Sequence, residues 1–78
     1  MNTHTLYNLV RRLEDANIFF TLGRNRPDTI LVSITVPGER IEIDVFDDGH
    51  MEVSRFKGNE SIVGEENLVE EIINEYGD

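Results

Sequence analysis

The alternation of apolar and polar residues between positions 40 and 56 constrains the fold of this chain more than any other feature. A period of two is typical of β-strands that bury one face. The stretch therefore predicts two strands joined by a short turn, with their aliphatic side chains on one shared face. That set comprises Ile41, Ile43, Val45, Met51 and Val53.

The loop between these two strands fixes their register. A two-residue loop, Asp48-Gly49, would place a valine and a glutamate on the same face. A three-residue loop, Asp47-Asp48-Gly49, instead pairs Val45 with Met51 and keeps the aliphatic side chains together. Gly49 then falls where a type I turn followed by a bulge needs a positive φ. The sequence therefore predicts the three-residue loop.

The same register assigns residues to the opposite face, called here the outer face. Two carboxylates opposed across a ladder destabilise a sheet by roughly 0.2–1 kcal/mol. Two interpretations stay open: a solvated acidic face, or a surface held for a cationic partner that relieves the repulsion. The predicted outer pairs are Asp44 with Glu52, Glu42 with Ser54, Phe46 with His50, and Arg40 with Phe56 in a cation–aromatic contact.

Two further strands are predicted before this hairpin. The first is Ile18 to Leu22, with Phe19 on the outer face, and the second runs from residue 30 to 36, with Leu31 on the outer face. Pro37-Gly38 ends the second strand in a tight turn. A four-residue loop there would set Leu31 beside Phe46, whereas a two-residue loop would set it beside Asp44. Residues 61–63 are too short for more than a bridge or a fifth edge strand.

Amphipathic helices are predicted at both ends of the chain. The first is predicted to be capped by Thr3 or Thr5 and to stop at Asn17, which suits a left-handed conformation. Its apolar stripe comprises Leu6, Leu9, Val10 and Leu13, and that of the second helix, after Gly64, comprises Leu68, Val69, Ile72, Ile73 and Tyr76.

The order of elements predicts one α+β domain spanning residues 1–78. We expect a two-layer sandwich in which the N- and C-terminal helices pack on one face of a four-stranded antiparallel meander (α-β-β-β-β-α). Neither helix can bury its stripe alone, so both must cover the same apolar sheet face. The outer face is then left without a helical layer.

The formal charge of -9 bears on the kind of partner. After residue 26 only Arg40, Arg55 and Lys57 oppose fourteen acidic residues, so we expect a basic protein partner and no nucleic acid, which needs clustered cations. The chain has no cysteine, no apolar run of 18 residues and no basic-then-apolar leader. We therefore expect a cytoplasmic protein without disulfides and without a membrane partner.

No constellation of residues points to catalysis. His50 is the only histidine near carboxylates, but it lies in a different cross-strand row from Asp44 and Glu52, so no metal site is expected. The serines have no recognisable base, and paired carboxylates on an open sheet lack a pocket. We expect no enzyme, no cofactor, and no catalytic or metal-binding residue.

The hairpin also carries a family resemblance. Residues 36–43 (V-P-G-E-R-I-E-I) and 48–56 (D-G-H-M-E-V-S-R-F) resemble a type of small bacterial protein in which V-P-G-E-R leads to D-G-x-x-E-V-x-x-F. These proteins are similar to the small immunity proteins encoded beside bacterial toxins. The resemblance implies an immunity-type inhibitor that covers the basic active site of a nuclease-like toxin.

Three functions follow from these observations. The first is a non-enzymatic intracellular protein-binding module, most specifically the immunity-type inhibitor. The alternative is a structural or regulatory subunit that homodimerises through its open sheet face. A small hydrolase ranks third. The predicted partner-binding residues are Phe19, Leu31, Glu42, Asp44, Phe46, His50, Glu52 and Phe56.

Overall fold

The computed structural model describes residues 4–77. Within that range the chain forms two helices and five strands, and the strands make one antiparallel sheet whose order follows the sequence. The chain is therefore an α+β protein with one helix at each end. The elements are α1 (Thr5–Asp15), β1 (Thr21–Gly23), β2 (Thr29–Val36), β3 (Glu39–Phe46), β4 (Met51–Lys57), β5 (Glu60–Gly64) and α2 (Glu66–Tyr76).

The prediction of a four-stranded sheet is wrong by one strand, because β5 pairs fully with β4. Lys57 lies opposite Glu60 across a two-residue turn, in which Gly58 adopts a φ of 58°. A glycine takes this conformation without the steric penalty of other residues, so the hairpin closes tightly. Residues 60–63 are all exposed. Main-chain pairing rather than burial therefore defines this strand, and hydrophobic periodicity could not show it.

The first strand begins later than the sequence indicates. Asn17 has a φ of 60°, as expected for the left-handed end of α1. Ile18 then turns back into the core, where its N–H donates to the Leu13 carbonyl at 2.9 Å. This hydrogen bond ends α1 before the chain enters the sheet. Only Thr21–Gly23 then pairs with β2. Phe19 therefore lies outside the sheet.

The register predicted for the β3–β4 hairpin is confirmed. Val45 lies opposite Met51, and the Phe46 N–H donates to the His50 carbonyl at 2.9 Å. The intervening three-residue loop has its glycine, Gly49, at a φ of 97°. Between β2 and β3 the two-residue alternative holds, so Leu31 lies beside Asp44.

Gly49 gives a direct test of this loop. Gly49→Ala should lower the free energy of unfolding by about 1 kcal/mol or more, because alanine resists a positive φ. The new Cβ would also lie 3.0 Å from Thr5 Oγ1. Gly23→Ala is the matched control, since no atom lies within 4 Å of its Cβ position and its φ is not positive. Equal melting temperatures for the two variants would show that the loop is not constrained as described.

The hydrophobic core lies between the inner face of the sheet and the two helices. Leu9 and Leu13 of α1 and Leu68, Val69 and Ile72 of α2 are buried, as their helical spacing predicts. Burying one such side chain contributes about 1.5–3 kcal/mol. The sheet contributes the buried residues Val32, Ile34, Ile41, Ile43, Val45, Met51 and Val53.

A buried ion pair continues the inner face beyond these apolar residues. The side chains of Glu39 and Arg55 are 1% and 4% exposed, and the Arg55 Nε donates to Glu39 Oε2. The Tyr76 hydroxyl donates to Glu39 Oε1 at 2.5 Å, and Arg55 Nη2 donates to Glu75 Oε1 at 2.8 Å. These four residues form what we call the inner network, which ties the end of α2 to β3 and β4.

The inner network shifts the ionisation of its members. The hydrogen bond from Arg55 holds the pKa of Glu39, and that of Glu75, below the usual range. The hydrogen bond from Tyr76 to Glu39 raises the pKa of Tyr76 to about 12. The folded state therefore favours ionised carboxylates and a protonated phenol.

These shifts predict how stability depends on pH. A lowered carboxylate pKa stabilises the fold above the unfolded value, near 4.5, and this stability is lost as the pH falls through the folded pKa. A raised tyrosine pKa acts in the opposite sense: its contribution is complete below pH 10 and is lost towards about pH 12. Urea unfolding across the pH range should show both losses, and Tyr76→Phe should reduce the alkaline one. An alkaline loss of the same size in that variant would contradict the assignment to Tyr76.

Candidate protein-binding surface

The outer face of the sheet carries seven of the eight residues that the sequence predicts for partner binding. Five are half-buried between their neighbours and two, His50 and Glu52, are exposed. Phe19 is the exception: it is 77% exposed, but it precedes β1 and is not part of the face. The outer-face set is Leu31, Glu42, Asp44, Phe46, His50, Glu52 and Phe56.

Carboxylates occupy the centre of this face. Asp44 lies directly opposite Glu52 on one side and beside Leu31 on the other. In the part of the chain that the structure describes, neither carboxylate forms an ion pair or a side-chain hydrogen bond. Glu42 has a loose ion pair with the neighbouring Arg40, at 3.6 Å between Nε and Oε2. The predicted opposition of two acids is therefore real, and no ion pair within residues 4–77 relieves it.

The repulsion across this pair can be measured. Asp44→Asn should leave the free energy of unfolding unchanged or raise it by up to about 1 kcal/mol, because it removes one of two like charges placed opposite each other. Thermal unfolding at low salt gives the largest difference, since screening weakens the repulsion. A loss above about 1 kcal/mol would mean that the carboxylate stabilises the fold through another contact.

Stacked aromatic and cationic groups flank the carboxylates at both ends of the strands. At the β3–β4 loop the His50 ring stacks on Phe46, with centroids 4.0 Å apart and planes 11° apart. The Arg26 guanidinium lies 5.0 Å from the centroid of the same Phe46 ring. At the other end the Arg40 guanidinium lies 5.1 Å from the centroid of Phe56, as the register predicts.

The loop next to Phe46 holds its histidine in place. The main-chain N–H of His50 donates to Asp48 Oδ1 at 3.0 Å, and Nδ1 of the same ring lies 2.6 Å from that oxygen. These hydrogen bonds lower the pKa of Asp48, the main-chain one most strongly. The ring is therefore oriented so that it covers one face of the Phe46 ring.

Sequence reasoning misses two features of this sheet. Arg26 belongs to the stretch G-R-N-R-P-D at residues 23–28, whose composition indicates only a turn, although the β1–β2 loop brings its guanidinium over Phe46. It also does not predict the inner network, although Glu39 and Arg55 occupy inner-face positions in the same alternation as Ile41 and Val53. The alternation could have placed both charges inside, and their opposite signs could have suggested the pair.

A groove of about 470 Å³ lies near this end of the sheet, between the start of α1 and the β1–β2 and β3–β4 loops. Thr29 lines it, and its hydroxyl has no hydrogen-bond partner within residues 4–77. That oxygen is shielded from solvent, so a molecule in the groove would not reach it. Within the described range no three histidine, aspartate or glutamate side chains converge to hold a metal ion. Neither α1 nor α2 is long and apolar enough to cross a membrane.

Taken together, fold and surface define an α+β domain with one open sheet face, acidic at its centre and aromatic at two ends. Comparison of the chain with protein-family models, with curated proteins and with solved structures finds no match.

Proposed function

We propose that this chain is a non-enzymatic, cytoplasmic protein-binding module that binds a basic protein through the outer face of its sheet. Its most specific form is an immunity-type inhibitor that covers the basic active site of a nuclease-like toxin. The observation that carries the proposal is the Asp44–Glu52 pair, which lies on the helix-free face with no ion-pair partner among residues 4–77. A cationic partner would convert this repulsion into attraction on binding.

The aromatic groups on the same face would supply contacts that do not depend on charge. Phe46 is half-buried, lies opposite Thr29 and is diagonally across from Leu31. Large, partly exposed aromatic side chains act as anchors in many interfaces, where they are packed and desolvated by the partner. In this proposal the carboxylates speed association and Phe46 slows dissociation.

Homodimerisation through the same face is the second candidate. Leu31, Phe46 and Phe56 favour it, because they give the face some apolar area. A two-fold interface, however, would bring Asp44 and Glu52 of two copies together, in a chain whose charge is already -9. We therefore rank the homodimer below a basic partner, and a small hydrolase below both. If sedimentation at increasing concentration showed a dimer that Phe46→Glu abolishes, the homodimer would rank above the basic partner.

The proposal is tested by affinity capture from the source cell. The captured protein should be basic and should elute with rising salt, because exposed charges are screened beyond about 10 Å at 0.1 M ionic strength. The triple variant Glu42→Gln, Asp44→Asn, Glu52→Gln should capture much less of this protein.

A charge-matched control separates surface from net charge. Glu14→Gln, Asp15→Asn and Glu66→Gln remove the same three charges from exposed positions on the helices. This control should still capture the partner. Equal loss from both triple variants, or capture of an acidic protein that resists salt, would overturn the proposal.

A further inference from the structure

The β5 edge, defined as residues 60–64, is an open edge of the sheet that residues 4–77 form. Its main-chain groups point alternately toward β4 and away from it. Lys57 and Glu60 close a two-residue turn. In such a hairpin the two residues of this pair, and those of every second pair after it, are hydrogen-bonded to each other across β4 and β5. Ser61 and Val63 fall between those pairs. Their main-chain N–H and C=O groups therefore point away from β4, toward the position of a sixth strand.

Apart from Glu60 at its start, this edge lacks the usual protection against strand addition. Natural sheet edges carry lysine, proline or a bulge that discourages pairing with another chain. No lysine, arginine or proline follows Lys57 in the sequence, and the β4–β5 register runs without a bulge from residue 60 to 64. Val63 is 73% exposed on the outer side and Ile62 is 41% exposed on the helix side. An added strand would find both main-chain partners and apolar side chains.

The charges beside the β5 edge favour an added strand that is cationic. Glu70 of α2 is engaged by Arg12 of α1, at 2.7 Å. Glu71, the next residue of α2, has only a looser contact with Arg55 of β4, at 3.8 Å between Oε1 and Nη1. Arg55 is the cross-strand neighbour of Ile62, so the exposed Glu71 carboxylate lies on the helix side of the sheet, which is also the side of a residue added next to Ile62. Glu60 adds a second negative charge at the start of the strand.

We propose that the β5 edge binds an extended cationic segment by β-strand addition. Lysine or arginine would alternate on the helix side, facing Glu71 and Glu60, and apolar residues would lie on the outer side next to Val63. A second copy that adds its own β5 does not meet this requirement, because Glu60 is the only charged residue of that strand. The inference rests on the proposed function for the cationic character of the partner, and it names a contact separate from the outer face.

The probe is a blocked seven-residue peptide of alternating lysine and valine, titrated into the isotopically labelled protein at low salt. The amide signals of Ser61 and Val63 should shift and become protected from exchange with solvent. A peptide in which glutamate replaces lysine should not bind. Shifts confined to the outer face around Asp44 and Glu52 would overturn the inference.

Two pairs of variants locate the site. Val63→Pro removes an outward N–H that β4 does not use, and it should weaken peptide binding at least about fivefold relative to Val63→Thr, which keeps the N–H. Glu71→Gln should weaken binding more than Glu70→Gln, and both side chains are exposed, so folding is not at risk. Equal affinities within each pair would contradict strand addition.

These variants, together with the triple variant of Glu42, Asp44 and Glu52, separate this inference from the proposed function. If the captured partner depends on Asp44 and Glu52 while the peptide ignores the β5 edge, the inference fails and the proposed function stands. If the peptide binds through the edge but the partner ignores the outer carboxylates, the proposed function fails by itself.

Discussion

Arg55→Met should lower the free energy of unfolding by about 3–5 kcal/mol, because it leaves the Glu39 carboxylate buried without its cation. For a chain of 78 residues the total stability is of order 4–12 kcal/mol. The variant should therefore lose at least about a quarter of the total stability. Urea unfolding followed by circular dichroism measures the change.

Two controls separate the buried pair from the loss of any arginine. Arg40→Met removes a cation whose side chain is well exposed on the outer face, and it should cost no more than about 1 kcal/mol. The combined variant Glu39→Leu, Arg55→Met, Tyr76→Phe replaces the charges and the hydroxyl together, and it should recover most of the loss. A loss below about 1 kcal/mol for Arg55→Met alone would mean that the inner network does not stabilise the fold.

The second large effect concerns the rate of association with the captured basic partner. Glu42→Gln, Asp44→Asn and Glu52→Gln together should slow association about tenfold or more at low salt and leave dissociation nearly unchanged. Phe46→Ala should do the reverse and mainly speed dissociation, since it removes an apolar contact. Surface plasmon resonance at several salt concentrations separates the two rates. An effect of the three carboxylates on dissociation alone would mean that they do not steer the encounter.

The hairpin can be derived from the sequence because two independent signals agree there. Alternation sets which residues share a face, and Gly49 identifies the loop length that keeps this alternation in register. The pairs Asp44–Glu52 and Arg40–Phe56 follow from that register alone. Most of the candidate surface is therefore predictable from the amino-acid sequence.

The remaining features depend on contacts that a local pattern does not encode. β5 is held by main-chain pairing beside a glycine turn, and its exposed side chains give no periodicity. Ile18 is drawn into the core by the end of α1, which moves Phe19 out of the sheet. The hydrogen-bond partners of Arg55 are distant in sequence, since Glu39 lies 16 and Glu75 lies 20 residues away. Tertiary packing decides each of these outcomes.

Glu71 and Glu39 illustrate how the same residue type serves two different purposes here. Glu39 is buried and accepts hydrogen bonds from Arg55 and Tyr76, so its charge stabilises the fold. Glu71 is largely exposed and only loosely paired, so its charge remains available to another molecule. The distinction follows from burial rather than from sequence, and it divides the acidic residues into structural ones and ones that a partner can use.

Chemical-shift mapping with the captured partner shows whether that partner binds the outer face. The labelled protein is titrated with that partner, and the signals of the outer face are compared with those of the helices. The largest shifts should fall on Asp44, Phe46, His50 and Glu52, with the signals of α1 nearly unchanged. Shifts concentrated on α1 and α2, with the outer face unaffected, would contradict it.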